Sequence, residues 1–327
     1  MSTKPDLLPL RVRAITWEAD TVLGFELVPL AADALLPAFE AGAHINLYLE
    51  PRGGGQMVRS YSLLNLQGER HRYCIGVNRD TKSRGGSRQM HELLRAGDVI
   101  AAAPPANNFR LNEGAATSAF IAGGIGITPV LGMLRRLSAL HKPWRLVYAA
   151  RSRANAASVP TLQALADETG AALQFHFDDE QGGRPLDMAA AVATLADQAH
   201  AYCCGPLPML AAFEAATAPW PRERVHVEYF SAPEAAAIEG GFTVELARSG
   251  RSVQVAAGQT ILDTLLALGI EPPYSCQQGV CGTCEVRVLQ GTPDHRDLVL
   301  TPEEHAANDR MMICCSGART PRLVIDL

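Results

Sequence analysis

The chain has no surplus of positive charge: 29 Lys and Arg stand against 34 Asp and Glu, a net charge of −5. That balance argues against nucleic acid or an anionic membrane surface as the main partner, and no basic patch or DNA-reading helix pair offsets it. Met1 to Thr16 carries scattered charges and a proline but no apolar core of signal-peptide length. A bilayer-spanning run is also missing. The one membrane-like stretch, Ala119 to Leu134, holds four glycines, a threonine and a proline, and it is shorter than the ~20 apolar residues a spanning helix needs. A strand, a tight loop and a helix account for it better, so a cytoplasmic protein without membrane or nucleic-acid partners is expected. There is no internal repeat and no low-complexity tract beyond alanine-rich helices. Also absent is a Cys-x-His…Cys-x2-His pair, which weighs against a self-contained oxygenase with its own Rieske centre.

What is present is enough chain for two or three domains: 327 residues exceed a single ordinary core. Up to residue 113 the pattern alternates in the manner of antiparallel strands, as in Val22-Leu-Gly-Phe-Glu-Leu-Val and His44-Ile-Asn-Leu-Tyr-Leu. Turn residues punctuate it, as in a β-barrel, and one helix is expected near Met90–Leu94. From 114 to 230 the rhythm changes to strands alternating with helices, which implies a parallel sheet covered on both faces. Residues 231–240 read as a linker. A small mixed domain follows over 241–327, with strands at Phe242–Leu246 and Val253–Val255 and a helix at Thr260–Leu268.

Eight cysteines are present, and five fall after residue 270. In a reducing compartment such clustering reads as metal ligation before disulfides. Cys276, Cys281, Cys284 and the distant Cys314 follow C-x4-C-x2-C…C, the plant-type [2Fe–2S] spacing. Two irons need four thiolates; a short loop supplies three and a remote segment the fourth. Gly279 and Gly282 let backbone amides approach the sulfurs. Zinc held by the same thiolates, with His295, is the main alternative, although zinc sites usually use two short cysteine pairs and only one is present. Unrelated core cysteines are another. Cys314 and Cys315 compete for the fourth position. Neighbouring strand residues face opposite ways, and the separation favours Cys314, leaving Cys315 to packing.

Gly123-Gly-Ile-Gly-Ile-Thr-Pro129 sits where a first strand–helix turn belongs. Its glycines, Gly124 and Gly126 among them, admit a dinucleotide pyrophosphate. Thr128 is positioned to cap the helix, with Pro129 at its first position. The third glycine of G-x-G-x-x-G is missing, and a purely structural turn is the competing reading. Cys204-Gly205-Pro206, at the end of a later strand, would share the same ligand-binding sheet edge. Arg151 and Arg153 fall near the expected ribose edge, either for a 2′-phosphate or for solvent. In the first segment, Arg59-Ser60-Tyr61-Ser62 lies on a strand and Arg84-Gly85-Gly86-Ser87 on a loop before a helix. An arginine and a glycine-rich helix start can hold a phosphate, a tyrosine offers a flat face to a flavin ring, and a serine can hydrogen-bond its reactive N5. A surface arginine beside a packed tyrosine is the bland reading.

With these three sets in this order, the whole chain resembles the phthalate dioxygenase reductase and vanillate demethylase reductase family, the reductase components of Rieske oxygenase systems. The resemblance implies an FMN-binding barrel (1–113), an NAD(P)-binding α/β domain (114–230) and a C-terminal β-grasp ferredoxin (241–327). FMN would be held by Arg59, Ser60, Tyr61, Ser62, the backbone of Gly76-Val77-Asn78, and Gly85, Gly86 and Ser87. Thr128 would reach the flavin from the next domain, and Phe230 would lie where nicotinamide enters. Gly124, Gly126, Arg151, Cys204, Gly205 and Pro206 would bind NADH, with NADPH less favoured. Electrons would pass from NAD(P)H through FMN and the cluster to a terminal Rieske oxygenase, with no side-chain acid or base required. A monomer is expected. Gly317 departs from the family, where an arginine is common.

Overall fold

The computed structural model describes residues 7–50, 57–80, 85–195, 198–231 and 236–327. They fall into two compact units, one ending at Tyr229 and the other beginning at Phe230.

The first unit opens with strands β1 (Leu8–Ala19), β2 (Val22–Pro29), β3 (His44–Leu49), β4 (Met57–Ser62) and β5 (Tyr73–Asn78), then helix α1 (Gly86–Glu92) and β6 (Val99–Ala102). They form one antiparallel sheet in the order β4-β3-β6-β1-β2-β5. A bridge between Leu63 and Ile75 brings its two edges together, so the sheet curls into a barrel and removes its exposed edges. Alternating residues such as Leu10, Val12, Phe25, Leu27, Ile45 and Leu47 fill the interior. Each large one withdrawn from water contributes about 1.5–3 kcal/mol.

The same unit continues with β7 (Ser118–Gly123), α2 (Ile127–Ala139), β8 (Trp144–Ala150), α3 (Val159–Thr169), β9 (Ala172–Phe177), α4 (Met188–Ala193), β10 (His200–Cys204), α5 (Leu207–Thr217) and β11 (Val225–Glu228). The sheet is wholly parallel, in the order β11-β10-β7-β8-β9. Successive β7 residues serve opposite layers, as strand geometry requires. Phe120 and Ala122 pack with α2 and α3, whereas Ala119 and Ile121 pack with α4 and α5. Strand β11 was not anticipated. It extends the sheet by pairing Glu228 with Cys204.

Barrel and parallel sheet are tied directly. Asp20 donates its amide to Ala154 O at 3.0 Å, and the Tyr202 hydroxyl accepts from the Asn112 amide at 2.8 Å. A Cβ on Gly132 of α2 would lie 2.8 Å from Leu63 O, so only glycine allows the helix this close to the barrel.

The second unit contains β12 (Phe242–Leu246), β13 (Arg251–Val255), α6 (Ile261–Ala267), β14 (Glu285–Gln290), β15 (Pro293–Asp294), α7 (Pro302–Ala307), β16 (Arg310–Met312), β17 (Gly317–Ala318) and β18 (Arg322–Ile325). Its main sheet runs β13-β12-β18-β14-β16, with parallel β12 and β18 at the centre. Both helices start in capping boxes, Thr260 with Asp263 and Thr301 with Glu304. Of the expected linker, residues 232–235 lie outside the described residues. The rest packs on this unit: Ala237 donates its amide to Cys315 O at 2.7 Å, and the Gly258 amide bonds to Ile238 O at 2.8 Å. Among the described residues, no helix is long and apolar enough to cross a membrane.

Candidate functional site

In the barrel, Arg59 and Tyr61 share one face of β4. A Cβ on Gly86 would sit 2.8 Å from Arg59 Cγ and Nε, so the arginine side chain lies directly against the start of α1. Gly85 precedes that helix at φ 109°, a conformation that suits glycine. Ser87 Oγ accepts the Asp80 amide at 3.3 Å. Arg84 lies outside the described residues. Tyr61 is largely enclosed, and burial pushes its phenol up to about 12. Ser62 is buried at the strand end, whereas Ser60 is exposed and donates to Asn46 Oδ1 at 2.7 Å. On β5, Val77 O is bonded by His91 Nε2 at 2.8 Å and Asn78 Oδ1 by Thr21 Oγ1 at 2.7 Å.

Gly76 of the same strand faces the parallel sheet. A Cβ there would lie 2.9 Å from Thr128 Cγ2, so Thr128 and the barrel edge are in contact. Thr128 does not cap α2. Residues Gly124–Gly126 form a 3-10 turn that runs straight into the helix, and Gly126 takes the cap position. Thr128 is therefore already inside the first turn, where its hydroxyl donates back to Ile125 O at 2.9 Å, and Pro129 is third in the helix instead of first.

The two glycine-bearing loops interlock. A Cβ on Gly126 would stand 2.2 Å from Cys204 O, and one on Gly123 would meet Met209 Sδ at 2.6 Å and Pro206 Cδ at 2.7 Å. Gly205 packs back on Gly123, its Cβ position 3.1 Å from Gly123 Cα. Only Gly124, at φ 53°, would point a Cβ into open space. Gly123, Gly126 and Gly205 thus bring the loops together, and Gly124 leaves a gap at the carboxyl ends of β7 and β10, where ligands enter open α/β sheets. At the β8 end Arg151 is exposed, while Arg153 covers the Phe177 ring at 4.5 Å and pairs with Glu180 at 3.4 Å.

Glu228 was not anticipated as a site residue. It ends β11 beside Cys204, is half-buried, and its Oε2 is buried without a hydrogen-bond partner. Burial pushes its carboxyl up to about 8. A lone acid at the end of an alternating Val-His-Val-Glu run, at the carboxyl edge of a parallel sheet, was the available signal. Phe230 is 39% exposed and begins the second unit.

In the second unit the cysteine loop lies in bends between α6 and β14. Cys276 is within hydrogen-bonding reach of both Cys281 and Cys314, and the neighbouring Cys276 thiol, with burial, pushes the Cys281 thiol up. Cys284 is buried, and its carbonyl accepts the Ile313 amide, which ties it to the segment bearing Cys314. The Gln278 amide already points at Cys276 Sγ, 3.3 Å away. Gly279 and Gly282 have φ 69° and 76°, and a Cβ on Gly279 would lie 2.5 Å from Cys315 Sγ. Cys314 and Cys315 are not on a strand: Ile313–Cys315 is a turn, closed by the Ser316 amide on Met312 O at 3.0 Å. The turn aims Cys314 at Cys276, while Cys315 sits under Gly279 and points to Met312 O. Convergent thiols, left-handed glycines and an amide directed at sulfur fit a [2Fe–2S] centre. His295 is not among the thiols; its neighbours are Asp297 and His305.

Two family profiles match the chain, an oxidoreductase NAD-binding domain over residues 120–215 and a 2Fe-2S iron-sulfur cluster binding domain over residues 244–319. The phenoxybenzoate dioxygenase subunit beta of Ectopseudomonas oleovorans is 54% identical over 329 residues, covering 100% of both chains. The tetrachlorobenzoquinone reductase of Sphingobium chlorophenolicum is 48% identical over the same span, again with 100% coverage of both. A solved phthalate dioxygenase reductase, described as a modular structure for electron transfer from pyridine nucleotides to [2Fe–2S], aligns with a TM-score of 0.78 at 35% identity. That alignment covers 98% of each chain.

Proposed function

The chain belongs to the phthalate dioxygenase reductase and vanillate O-demethylase reductase family, and from that premise we propose that it feeds electrons from NADH to a terminal Rieske oxygenase. It is an oxidoreductase with an NAD-binding and a [2Fe–2S] domain. Bound FMN would take hydride from the nicotinamide, and the cluster would pass electrons on one at a time. The chain's own task is placement. Arg59, against the glycine start of α1, offers a guanidinium for the FMN phosphate. Ser60, Tyr61, Ser62, Gly76, Val77, Asn78, Gly85, Gly86 and Ser87 would frame the flavin, whereas Phe230, expected where nicotinamide enters, belongs to the second unit. Gly124, Gly126, Arg151, Cys204, Gly205 and Pro206 hold the dinucleotide. Cys276, Cys281, Cys284 and Cys314 hold the irons.

The observation that carries this reading is the contact between Gly76 of the barrel and Thr128 of the glycine loop. A ring lying along Gly76 and a nicotinamide delivered over Thr128 would meet there, which is the proximity hydride transfer requires. NADH is favoured over NADPH by the family resemblance and because Glu180 already engages Arg153, with Asp178 and Asp179 bonded through their amides to Ala150 O and Arg151 O at the β8 end. We take the domains as 1–113, 114–230 and 241–327, except that Phe230 goes with the second unit, which begins there. The protein works as a monomer in the cytoplasm; light scattering that gives a mass well above 35.0 kDa would reject the monomer.

Anaerobic NADH titration followed in the visible spectrum tests the route. Flavin and cluster should both bleach, and a cluster that stays oxidised beside reduced flavin would sink the proposal. The 48% identity to a tetrachlorobenzoquinone reductase supports a second reading, in which a quinone is the acceptor. Turnover with a chlorinated benzoquinone but not with a purified oxygenase would favour it.

A further inference from the structure

One group of metal-ligating side chains in the second unit is not used by the electron path. His295 follows β15, Asp297 lies two residues on, and His305 projects from α7; their ligand atoms all lie within 4.8 Å of one another. His305 Nε2 is 3.4 Å from both Asp297 oxygens, and His295 Nδ1 is 3.7 Å from Asp297 Oδ1. The two imidazoles stack with centroids 4.4 Å apart and planes 20° apart.

A simple ion pair does not explain the group. The Asp297 side chain is fully buried and His295 is 9% exposed, yet neither ring nitrogen of His295 meets a hydrogen-bond partner. The Asn308 side chain lies beside His295 and donates to Ala306 O at 3.0 Å. Two unsatisfied buried nitrogens cost about 1–3 kcal/mol each. One histidine is enough to neutralise one carboxylate. The second, stacked on the first and aimed at the same oxygen, has no role in that account.

A divalent cation gives it one. We propose that His295, Asp297 and His305 form a binding site for a borderline divalent cation of the zinc type. Metal–nitrogen and metal–oxygen bonds of about 2.0–2.2 Å in a tetrahedral site set the ligand atoms roughly 3.3–3.5 Å apart, close to the spacings here. Two imidazoles and one carboxylate select zinc, cobalt or nickel over magnesium or calcium. Three protein ligands leave a fourth position for water.

The surroundings are arranged as outer-shell support. Asp297 Oδ2 accepts the Val299 and Leu300 amides at 3.2 and 2.9 Å, and Oδ1 accepts the Ser316 hydroxyl at 3.4 Å. The carboxylate is thus fixed before any ion arrives. His305 is 29% exposed and gives the ion a route in. The Leu298 amide bonds to Gly279 O at 2.9 Å, so an ion at this site would brace the cysteine loop from outside.

The test uses the purified protein with its flavin and cluster in place, confirmed by the visible spectrum and iron content. Isothermal titration with Zn2+ should show one equivalent bound at micromolar affinity or tighter, with no loss of iron and a raised melting temperature. Magnesium should not compete. His305→Ala, on an open helix, should weaken Zn2+ binding by about tenfold or more and leave the cluster spectrum unchanged; His295→Gln should do the same. No saturable Zn2+ binding to the iron-replete protein overturns the proposal. Binding that displaces iron, or that both variants retain at full strength, overturns it equally, since the thiolates or another site would then be responsible.

Discussion

Gly126 and Glu228 press on the same residue, Cys204, from different sides, and each makes a prediction that a single substitution tests. A methyl group on Gly126 would stand 2.2 Å from Cys204 O, against backbone with little room to yield. Gly126→Ala should cost about 1–3 kcal/mol of stability and raise KM for NADH by about tenfold or more, while flavin content stays normal. Thermal unfolding and steady-state kinetics measure the two effects. Glu228 keeps its proton up to about 8 in the folded protein, against an ordinary 4.5. Between those values the folded chain binds the extra proton. The stability associated with Glu228 is therefore complete below about pH 4.5, falls as pH rises, and levels off above about pH 8. Glu228→Gln should remove that slope. Urea midpoints across this range, parent against variant, would show it, and parallel profiles would mean that Glu228 ionises freely.

At the scale of loops and strands, the cysteine loop is held by conformations that few residues adopt. Gly279 combines φ 69° with a Cβ position 2.5 Å from Cys315 Sγ. Gly279→Ala should therefore lose iron and cluster absorbance, while NADH still reduces the flavin in the other unit. Iron analysis beside an anaerobic spectrum separates the outcomes. This loop was legible from spacing alone, because C-x4-C-x2-C…C is a demand of the cluster and not of the surrounding fold. The parallel sheet was legible from its alternation of buried strands and amphipathic helices. Other features were decided by contacts no local pattern records. Strand β11 is four residues long and none of them is fully buried, so it reads as loop until β10 is there to pair with it. Thr128 looks like a cap, but a 3-10 turn absorbs the glycines and moves the helix start back to Ile127. Cys315 lost its strand alternation to a turn closed on Met312 O. The His295–Asp297–His305 group depends on α7 folding back over the preceding turn, a contact that the spacing does not announce.

Across the whole chain, the break at Tyr229–Phe230 divides the chemistry as well as the packing. The unit ending at Tyr229 contains the barrel and the parallel sheet, locked together at Asp20–Ala154, Asn112–Tyr202 and Gly132–Leu63. The residues proposed to hold flavin and nicotinamide, Phe230 apart, lie on that side. The unit beginning at Phe230 has its own buried core, including Val244, Leu265, Met311 and Ile325, and it carries Cys276, Cys281, Cys284 and Cys314. Two such cores should unfold separately, giving two calorimetric transitions in place of one. A chain truncated after Tyr229 should then bind flavin and reduce ferricyanide with NADH at close to the parent rate, because ferricyanide can take electrons from the flavin directly. Its reduction of a one-electron protein acceptor should fall to background, since the cluster that relays single electrons is gone. Restoring the missing unit as a separate polypeptide should recover part of that rate in proportion to its concentration, as expected when a tethered step becomes bimolecular. If the truncated chain reduced the protein acceptor unaided, the cluster would not lie on the route, and the order NADH, flavin, cluster, acceptor would have to be abandoned.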